Sequence, residues 1–159
     1  MTTKNTDLVA NFEATPPVLN NAAELAGVVR TAHGQVELAA GDSTDNDIVM
    51  LAPIPSNAAV PQLFVGSDTF GGSCTFNVGI YQTDGTVKDE DVFASSVADA
   101  AALTDVRFEA ADLDTGSKKL WELAGDSTDP GGYFYVAITF DATGGTAGTL
   151  NWNINYVGN

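Results

Sequence analysis

The sequence predicts an all-β domain: a two-sheet, jelly-roll-like sandwich with an extended N-terminal arm and at most one short helix. Gly, Ser, Thr, Asn and Asp are abundant, whereas the helix-favouring Lys, Arg, Glu and Gln are scarce. That balance is typical of short strands joined by many turns. About eight or nine apolar or alternating runs follow one another at roughly even spacing, which is the pattern of a β-sandwich.

Residues 1–25 are predicted to form the arm, and residues 26–159 the sandwich domain. The arm lacks strand alternation and carries two adjacent prolines. Its apolar residues Phe12, Val18 and Leu19 make it unlike a fully solvated tail. We expect these three side chains to bind a partner, each contributing roughly 1–3 kcal/mol when buried. A neighbouring subunit is the favoured surface for the arm, and the chain's own body is the alternative.

The first strands are predicted between residues 28 and 81. Ala32-His33-Gly34 lies between two strand-like segments, which predicts a hairpin turn. The apolar run 48–51 lacks alternation, which indicates a strand buried on both faces that ends at Pro53 and Pro55. Further strands are predicted at residues 63–65 and 75–81.

The second half of the sandwich is predicted from four segments. Residues 89–103 are Ala-rich with acids at their start, which predicts the single helix. Short strands are predicted at 106–109 and 120–123. Two strong strands close the chain, and Gly-rich residues 144–148 predict a hairpin between them. Their predicted inward faces are Phe134, Val136, Ile138 and Phe140 in one strand and Leu150, Trp152, Ile154 and Tyr156 in the other, the latter opposite Asn151, Asn153 and Asn155.

The charge balance excludes two classes of partner. The chain has 21 acidic and 6 basic residues, for a formal net charge of −15. Nucleic-acid phosphates and anionic lipid surfaces are bound through clusters of Lys and Arg, and Lys118-Lys119 is the largest cluster here. We therefore expect neither nucleic acid nor a membrane as a partner. No stretch reaches the roughly 18 apolar residues of a membrane helix, and the N-terminus lacks the features of a signal peptide.

Side chains suited to catalysis are few. His33 is the single histidine and Cys74 the single cysteine. A Ser-His-Asp or Cys-His arrangement would depend on His33, which lies in a predicted turn. The acid pairs Asp112 with Asp114 and Glu90 with Asp91 lie in predicted polar loops, and nothing marks a cleft beside them. We expect no catalytic residue and no enzymatic activity.

A calcium site and a sugar-stacking platform are weaker alternatives. Asp42, Asp45 and Asp47 share one turn, and hard cations prefer several oxygen ligands. The turn lacks the Gly and the distal Glu of an EF-hand, so a solvated turn is favoured, and neither a metal nor a cofactor is expected. Trp121, Trp152 and the tyrosines are candidates for stacking on a sugar. Trp152 shares a face with apolar residues, which favours a place in the core.

The middle of the chain contains a series of strand and turn segments at residues 40–42, 47–55, 65–68, 75–81 and 89–93. They comprise an apolar strand ending in proline, a strand ending near an acid, a Thr-x-x-Val-Gly strand, and an Asp-x-Asp-x-Phe segment that leads into an Ala-rich stretch. Over residues 40–100 this series resembles small virion proteins of tailed bacteriophages. The resemblance implies a head decoration, or cement, protein that sits on the outer capsid surface, commonly as a trimer, and clamps neighbouring capsomers.

We therefore expect a structural protein of a tailed-phage virion, located on the capsid surface and binding between capsomers. The resemblance implies the major capsid protein as its partner and a homotrimer as its oligomeric state. The alternative is a surface recognition module, such as a tail or fibre domain or a carbohydrate-binding β-sandwich. That alternative predicts an exposed aromatic platform. The sequence leaves open the host, the partner's identity, calcium binding by the acidic loops and the surface on which the arm packs.

Overall fold

Eight strands form two antiparallel sheets in the computed structural model, which describes residues 4–20, 25, 27–99, 102–109 and 113–158. The strands are β1 (Val29–Leu38), β2 (Ile48–Pro55), β3 (Ala59–Ser67), β4 (Thr75–Tyr81), β5 (Val87–Ala98), β6 (Thr104–Asp105), β7 (Tyr133–Ala142) and β8 (Gly148–Val157). The other described elements are the helices α1 (Asp7–Glu13) and α2 (Leu120–Leu123) and a 3₁₀ turn over Leu113–Ser117.

The strand order is that of a jelly roll. One sheet runs β1-β8-β3-β6 and the other β2-β7-β4-β5, and the pairings in both are antiparallel. Successive strands pass from one sheet to the other except at β4 and β5, which are neighbours in the same sheet. Such alternation joins two four-stranded sheets into a closed sandwich. The predicted two-sheet, jelly-roll-like, all-β architecture is confirmed.

The core lies between the two sheets. The inward faces of β7 and β8 were predicted from alternation, and both contribute to it. Phe134, Val136, Ile138 and Phe140 are buried, as are Leu150 and Ile154, with Trp152 and Tyr156 packed partly buried against them. The Phe140 ring meets Phe70 edge to face, with the centroids 5.6 Å apart. That geometry is the preferred one for aromatic pairs, so these rings help to hold the loop after β3 against β7.

The hairpin predicted at Ala32-His33-Gly34 is wrong, because β1 runs straight through it. Gly34 lies opposite Trp152 on β8. A Cβ atom on Gly34 would come within 2.9 Å of Trp152 Cζ2. The glycine therefore leaves room for the indole ring on the adjacent strand. A glycine between polar residues also favours a turn, which is why the sequence wrongly predicted a hairpin here.

The prolines of β2 lie inside the strand and do not end it. Ile48 and Met50 are exposed, so the prediction of burial on both faces is wrong. Within the described residues β2 pairs only with β7, which makes it an edge strand. Pro53 and Pro55 have no N–H to donate, and an edge strand tolerates this because one of its sides has no neighbouring strand.

Two secondary-structure predictions in the middle of the chain are reversed. Residues 89–98, predicted as helix, belong to strand β5, whereas residues 100 and 101 lie outside the described part. Residues 120–123, predicted as strand, form helix α2, which buries Leu120. Residues 106–109 form a turn after the short strand β6. The Ala-rich composition of β5 favours helix locally, and pairing with β4 overrides that weak preference.

The last two strands are not a hairpin. β7 and β8 lie in different sheets, so the Gly-rich segment between them crosses from one layer to the other. The segment is tied to the loop after β3, because the N–H groups of Gly145 and Thr146 both donate to the Phe70 carbonyl, at 2.7 and 2.8 Å. Turn-forming residues are needed for a reversal within a sheet and for a crossing between sheets alike.

A buried arginine joins the turn after β6 to the body of the sandwich. Arg107 is fully buried, and its Nε and Nη2 donate to the carbonyls of Val60 and Thr115, at 2.5 and 3.0 Å. Its guanidinium lies 4.9 Å from the ring centroid of Phe93 and 4.6 Å from that of Phe108. Burial lowers the pKa of Arg107 to about 10. The group therefore stays charged at neutral pH, and its hydrogen bonds and cation–π contacts hold the turn against the sandwich.

Strand β5 folds over the outer face of β4 at Gly79. The register pairs Val78 with Ala94 and Ile80 with Asp89, so residues 90–93 of β5 lie opposite Gly79 alone. A Cβ atom at position 79 would overlap the backbone of Asp89 and Glu90. The bulge therefore depends on a residue without a side chain, and it lets Phe93 reach the core.

Candidate interaction surface

The segment before β1 contains a small folded unit. Helix α1 starts after Thr6, whose carbonyl accepts from the N–H groups of Val9 and Ala10 at 3.1 and 3.0 Å. It ends at Ala14, which is extended, and the prolines that follow cannot continue a helix. The helix buries none of its own residues.

Hydrogen bonds close this segment on itself. Asn11 Nδ2 donates to Asn20 Oδ1 at 2.8 Å, and Asn20 Nδ2 donates to the Leu8 carbonyl at 3.1 Å. The Val18 N–H donates to the Asn11 carbonyl at 3.0 Å. Among the described residues, every hydrogen bond made by residues 4–20 stays within that segment. Within the described part of the chain, the segment is therefore held together by hydrogen bonds of its own.

The three predicted partner-binding residues lie on the outside of this unit. Phe12 is 77% exposed, Val18 54% and Leu19 95%. None of the three belongs to the core cluster between the sheets. Exposed single apolar residues are common, and each of these three side chains would gain free energy if another surface covered it. We call residues 4–20, with these three exposed apolar side chains, the arm unit.

The outer face of β4 and β7 is already covered by the chain itself. Tyr81 is buried and hydrogen-bonds to the Thr139 hydroxyl. Burial raises the pKa of Tyr81, and the Thr139 contact opposes that shift. Ser96 on β5 donates through Oγ to Asp141 Oδ2 at 2.9 Å and through its N–H to Asn77 Oδ1 at 2.8 Å. This polar network had no signal in the sequence, since its members come from three strands that only the fold brings together.

The outer face of the other sheet carries the predicted Asn row on β8. Asn155 accepts from Thr31 Oγ1 at 2.8 Å and donates to Gln62 Oε1 at 2.9 Å. Asn151 is exposed, and Asn153 is half-buried. The amide of Asn155 therefore bridges β1, β8 and β3, so part of the row holds its own sheet together.

Those residues considered for chemistry that the structure describes are not assembled into a site. His33 is exposed in the middle of β1, and Cys74 is buried. Burial raises the pKa of the Cys74 thiol, and the charges of Asp99 and Asp141 raise it further. This keeps the thiol protonated and unreactive. Among the described residues no group of three or more His, Cys, Asp or Glu could hold a metal ion.

Two acidic side chains of the β1–β2 turn accept hydrogen bonds from backbone N–H groups. Asp42 Oδ2 accepts from the Ala39 N–H at 2.9 Å, and Asp47 Oδ2 accepts from the Thr44 N–H at 2.8 Å. The side-chain bond from Thr44 is the main reason why the pKa of Asp47 is lowered. Asp112 lies outside the described residues, so its proposed pairing with Asp114 cannot be placed in the structure.

Neutralising either of two carboxylates near the β4–β5 turn should change the stability of the protein, in opposite directions for the two. Burial raises the pKa of Asp89, and its hydrogen bond with the Asp91 side chain raises it further, against the opposing effect of the Asp91 N–H. The Thr86 N–H instead lowers the pKa of Asp84. A raised folded-state pKa means that the stability from Asp89 is present below its unfolded pKa and lost as pH rises through the folded value. We expect Asp89→Asn to stabilise the protein at pH 7, with the gain disappearing below the unfolded pKa.

Asp84→Asn is the matched control for this prediction. Its lowered pKa means that the carboxylate stabilises the fold above its unfolded pKa, and that this contribution is lost as pH falls through the folded value. We therefore expect Asp84→Asn to destabilise the protein at pH 7. Urea denaturation at pH 7 and pH 3 measures both differences. The same sign for the two variants at pH 7 would contradict the assignment.

Comparisons with known proteins give information on the fold. No protein-family model matches the sequence, and no curated protein matches it. A chain of the cyanophage Pam1 capsid asymmetric unit aligns with a TM-score of 0.54 and 18% identity, covering 84% of this chain and 86% of that chain. A chain of the acid-stable capsid structure of Helicobacter pylori bacteriophage KHP30 aligns with a TM-score of 0.40 and 15% identity, covering 82% and 87%. The described residues include no helix long and apolar enough to span a bilayer. The Pam1 comparison establishes a β-sandwich fold shared with a chain of a phage capsid.

Proposed function

We propose that this protein is a structural component of a tailed-phage virion, a decoration protein that binds the outer capsid surface and holds neighbouring capsomers together. The shared fold with a chain of the Pam1 capsid asymmetric unit supports a place in a capsid. The sequence resemblance over residues 40–100 supports the decoration type. In this proposal the partner is the major capsid protein, and the protein acts as a homotrimer.

The observation that carries the proposal is the arm unit. Its three apolar side chains are exposed, and the hydrogen bonds it makes with described residues are internal, which supports docking on a neighbour without unfolding of the unit. Covering each large apolar side chain contributes about 1.5–3 kcal/mol. Three arms in a trimer would act together, because the first contact raises the effective concentration of the other two. Small individual contacts would then hold the protein on a shell.

The distribution of charge along the chain supports attachment through the arm unit. With a net charge of −15, copies of this chain repel one another over most of their surfaces. The arm unit contributes few of these charges, since among residues 4–20 only Lys4, Asp7 and Glu13 are ionisable side chains. An apolar, nearly neutral segment on a strongly acidic body is suited to be the point of attachment.

We expect Phe12→Ala to weaken binding to undecorated capsid shells about tenfold or more, because the change removes one anchor worth about 1.5–3 kcal/mol. Deleting residues 1–25 should abolish binding and leave a folded sandwich. Co-sedimentation of protein with shells, at a series of concentrations, measures both. Val87→Ala is the control, since Val87 is a 50% exposed apolar residue on the body. Binding by the deletion variant at wild-type affinity would rule out the arm as the attachment.

A further inference from the structure

A hollow at one end of the sandwich has the composition of a ligand site. It lies where the β4–β5 turn meets the segment that leads into β7, and its volume is about 260 Å³. Its walls include Gln82, Asp84, Lys88, Asp126 and Tyr133. It is distant in sequence from the arm unit and plays no part in the proposed attachment to a capsid.

Tyr133 gives the hollow an aromatic wall. It is the first residue of β7 and is 56% exposed, whereas the next residue, Phe134, is 4% exposed and part of the core. The buried neighbour holds the backbone of Tyr133 in place, so its side chain starts from a defined point beside the hollow. A tyrosine side chain has few rotatable bonds, so its ring offers apolar area at little cost in side-chain entropy.

The polar walls are held in place as well. Lys88 Nζ lies 2.7 Å from Asp126 Oδ1, the single ion pair found among the described residues, which leaves Asp126 Oδ2 as an open acceptor. Asp84 Oδ1 accepts from the Thr86 N–H at 2.9 Å. The turn itself is closed by the Gln82 N–H, which donates to the Thr86 carbonyl at 2.8 Å.

The side chain of Gln82 makes no hydrogen bond within the described part of the chain, so its amide can serve a ligand as donor or acceptor. The hollow thus presents an apolar ring, two carboxylates and a free amide around one opening. Sites that recognise small molecules combine apolar walls with a few fixed polar groups of this kind.

We propose that this hollow binds a neutral hexose or N-acetylhexose unit of a glycan. The apolar face of a sugar ring matches the Tyr133 ring, and its hydroxyls are donors for the carboxylates of Asp84 and Asp126. An anionic ligand is disfavoured, because the one cation at the hollow, Lys88, is paired and the protein carries a net charge of −15. A pure hydrocarbon would leave the polar groups unpaired. The volume is below the roughly 300–1,000 Å³ of sites for drug-sized ligands, which suits one sugar ring with the rest of the glycan in solvent.

The test uses the full-length chain on an array of immobilised neutral and acidic oligosaccharides, followed by an NMR titration with the neutral sugar that binds best. We expect binding to a neutral sugar, and an affinity about tenfold or more lower in Tyr133→Ala. Gln82→Ala, which leaves the aromatic wall intact, should weaken binding less. Phe12→Ala removes an exposed aromatic ring elsewhere and should bind the sugar as the wild type does.

Three results would overturn the inference: no neutral glycan bound, preference for acidic glycans, or undiminished binding by Tyr133→Ala with its fold confirmed by near-UV circular dichroism. Shell attachment is separate, because it depends on Phe12 and not on Tyr133. Sugar binding can therefore fail while capsid attachment holds, and the reverse.

Discussion

Replacing Arg107 with methionine is expected to lower the free energy of unfolding by about 3 kcal/mol. The change removes the three hydrogen bonds of the guanidinium and leaves the carbonyls of Val60 and Thr115 without this donor. It also removes the cation held between Phe93 and Phe108, an interaction that is strongest where water is excluded. Urea denaturation, with the m-value checked for constancy, measures the loss.

Arg107→Lys should recover little of this stability. An ammonium group cannot reach both carbonyls in the geometry of a guanidinium, and it does not stack on the rings. Arg30→Met is the control for loss of a positive charge, because Arg30 is exposed and its replacement should stay within about 0.5 kcal/mol of wild type. An Arg107→Met protein as stable as the wild type would show that burying the charge costs as much as its contacts return.

Gly79→Ala is expected to destabilise the protein by about 3 kcal/mol, at the upper end of the cost of overpacking. The new methyl group would overlap the backbone of Asp89 and Glu90, which cannot move aside as a flexible side chain can. The β5 bulge would have to lift from β4, and Phe93 would be pulled away from its place in the core.

Gly145→Ala is the matched control, because a Cβ atom there would meet nothing within 4 Å. We expect it to be close to neutral in the same urea titration, apart from the usual effect on the unfolded chain. Equal stability of the Gly79→Ala and Gly145→Ala proteins would mean that β5 does not lie on β4 as described.

The sequence predicted the layers of the sandwich better than the path of the chain. Strict alternation in β7 identified Phe134 through Phe140 as an inner face, because side-chain direction in a strand is a local property. After β7, the chain could place β8 beside β7 in the same sheet or in the other sheet. The pairing that buries more surface decides between the two. That decision depends on residues far along the chain, so the Gly-rich segment before β8 could not reveal it.

Glycine was the most misleading residue in the sequence. At Gly34 and Gly79 it accommodates a neighbouring strand, yet beside polar residues it was read as a turn or passed over. The partner that needs the space, Trp152 in one case and β5 in the other, is distant in sequence. The Tyr133 hollow was missed for a related reason: its walls come from two separate loops, and the sequence drew attention to the tryptophans instead.

The prolines of β2 have a consequence for the behaviour of this chain at high local concentration. An uncovered strand edge can recruit the edge of another molecule through backbone hydrogen bonds and so start open-ended polymerisation. Pro53 and Pro55 remove two N–H donors from one half of β2, so a foreign strand could not complete a ladder along it. Crowding this chain on a surface would therefore not convert that edge into the seed of a fibre.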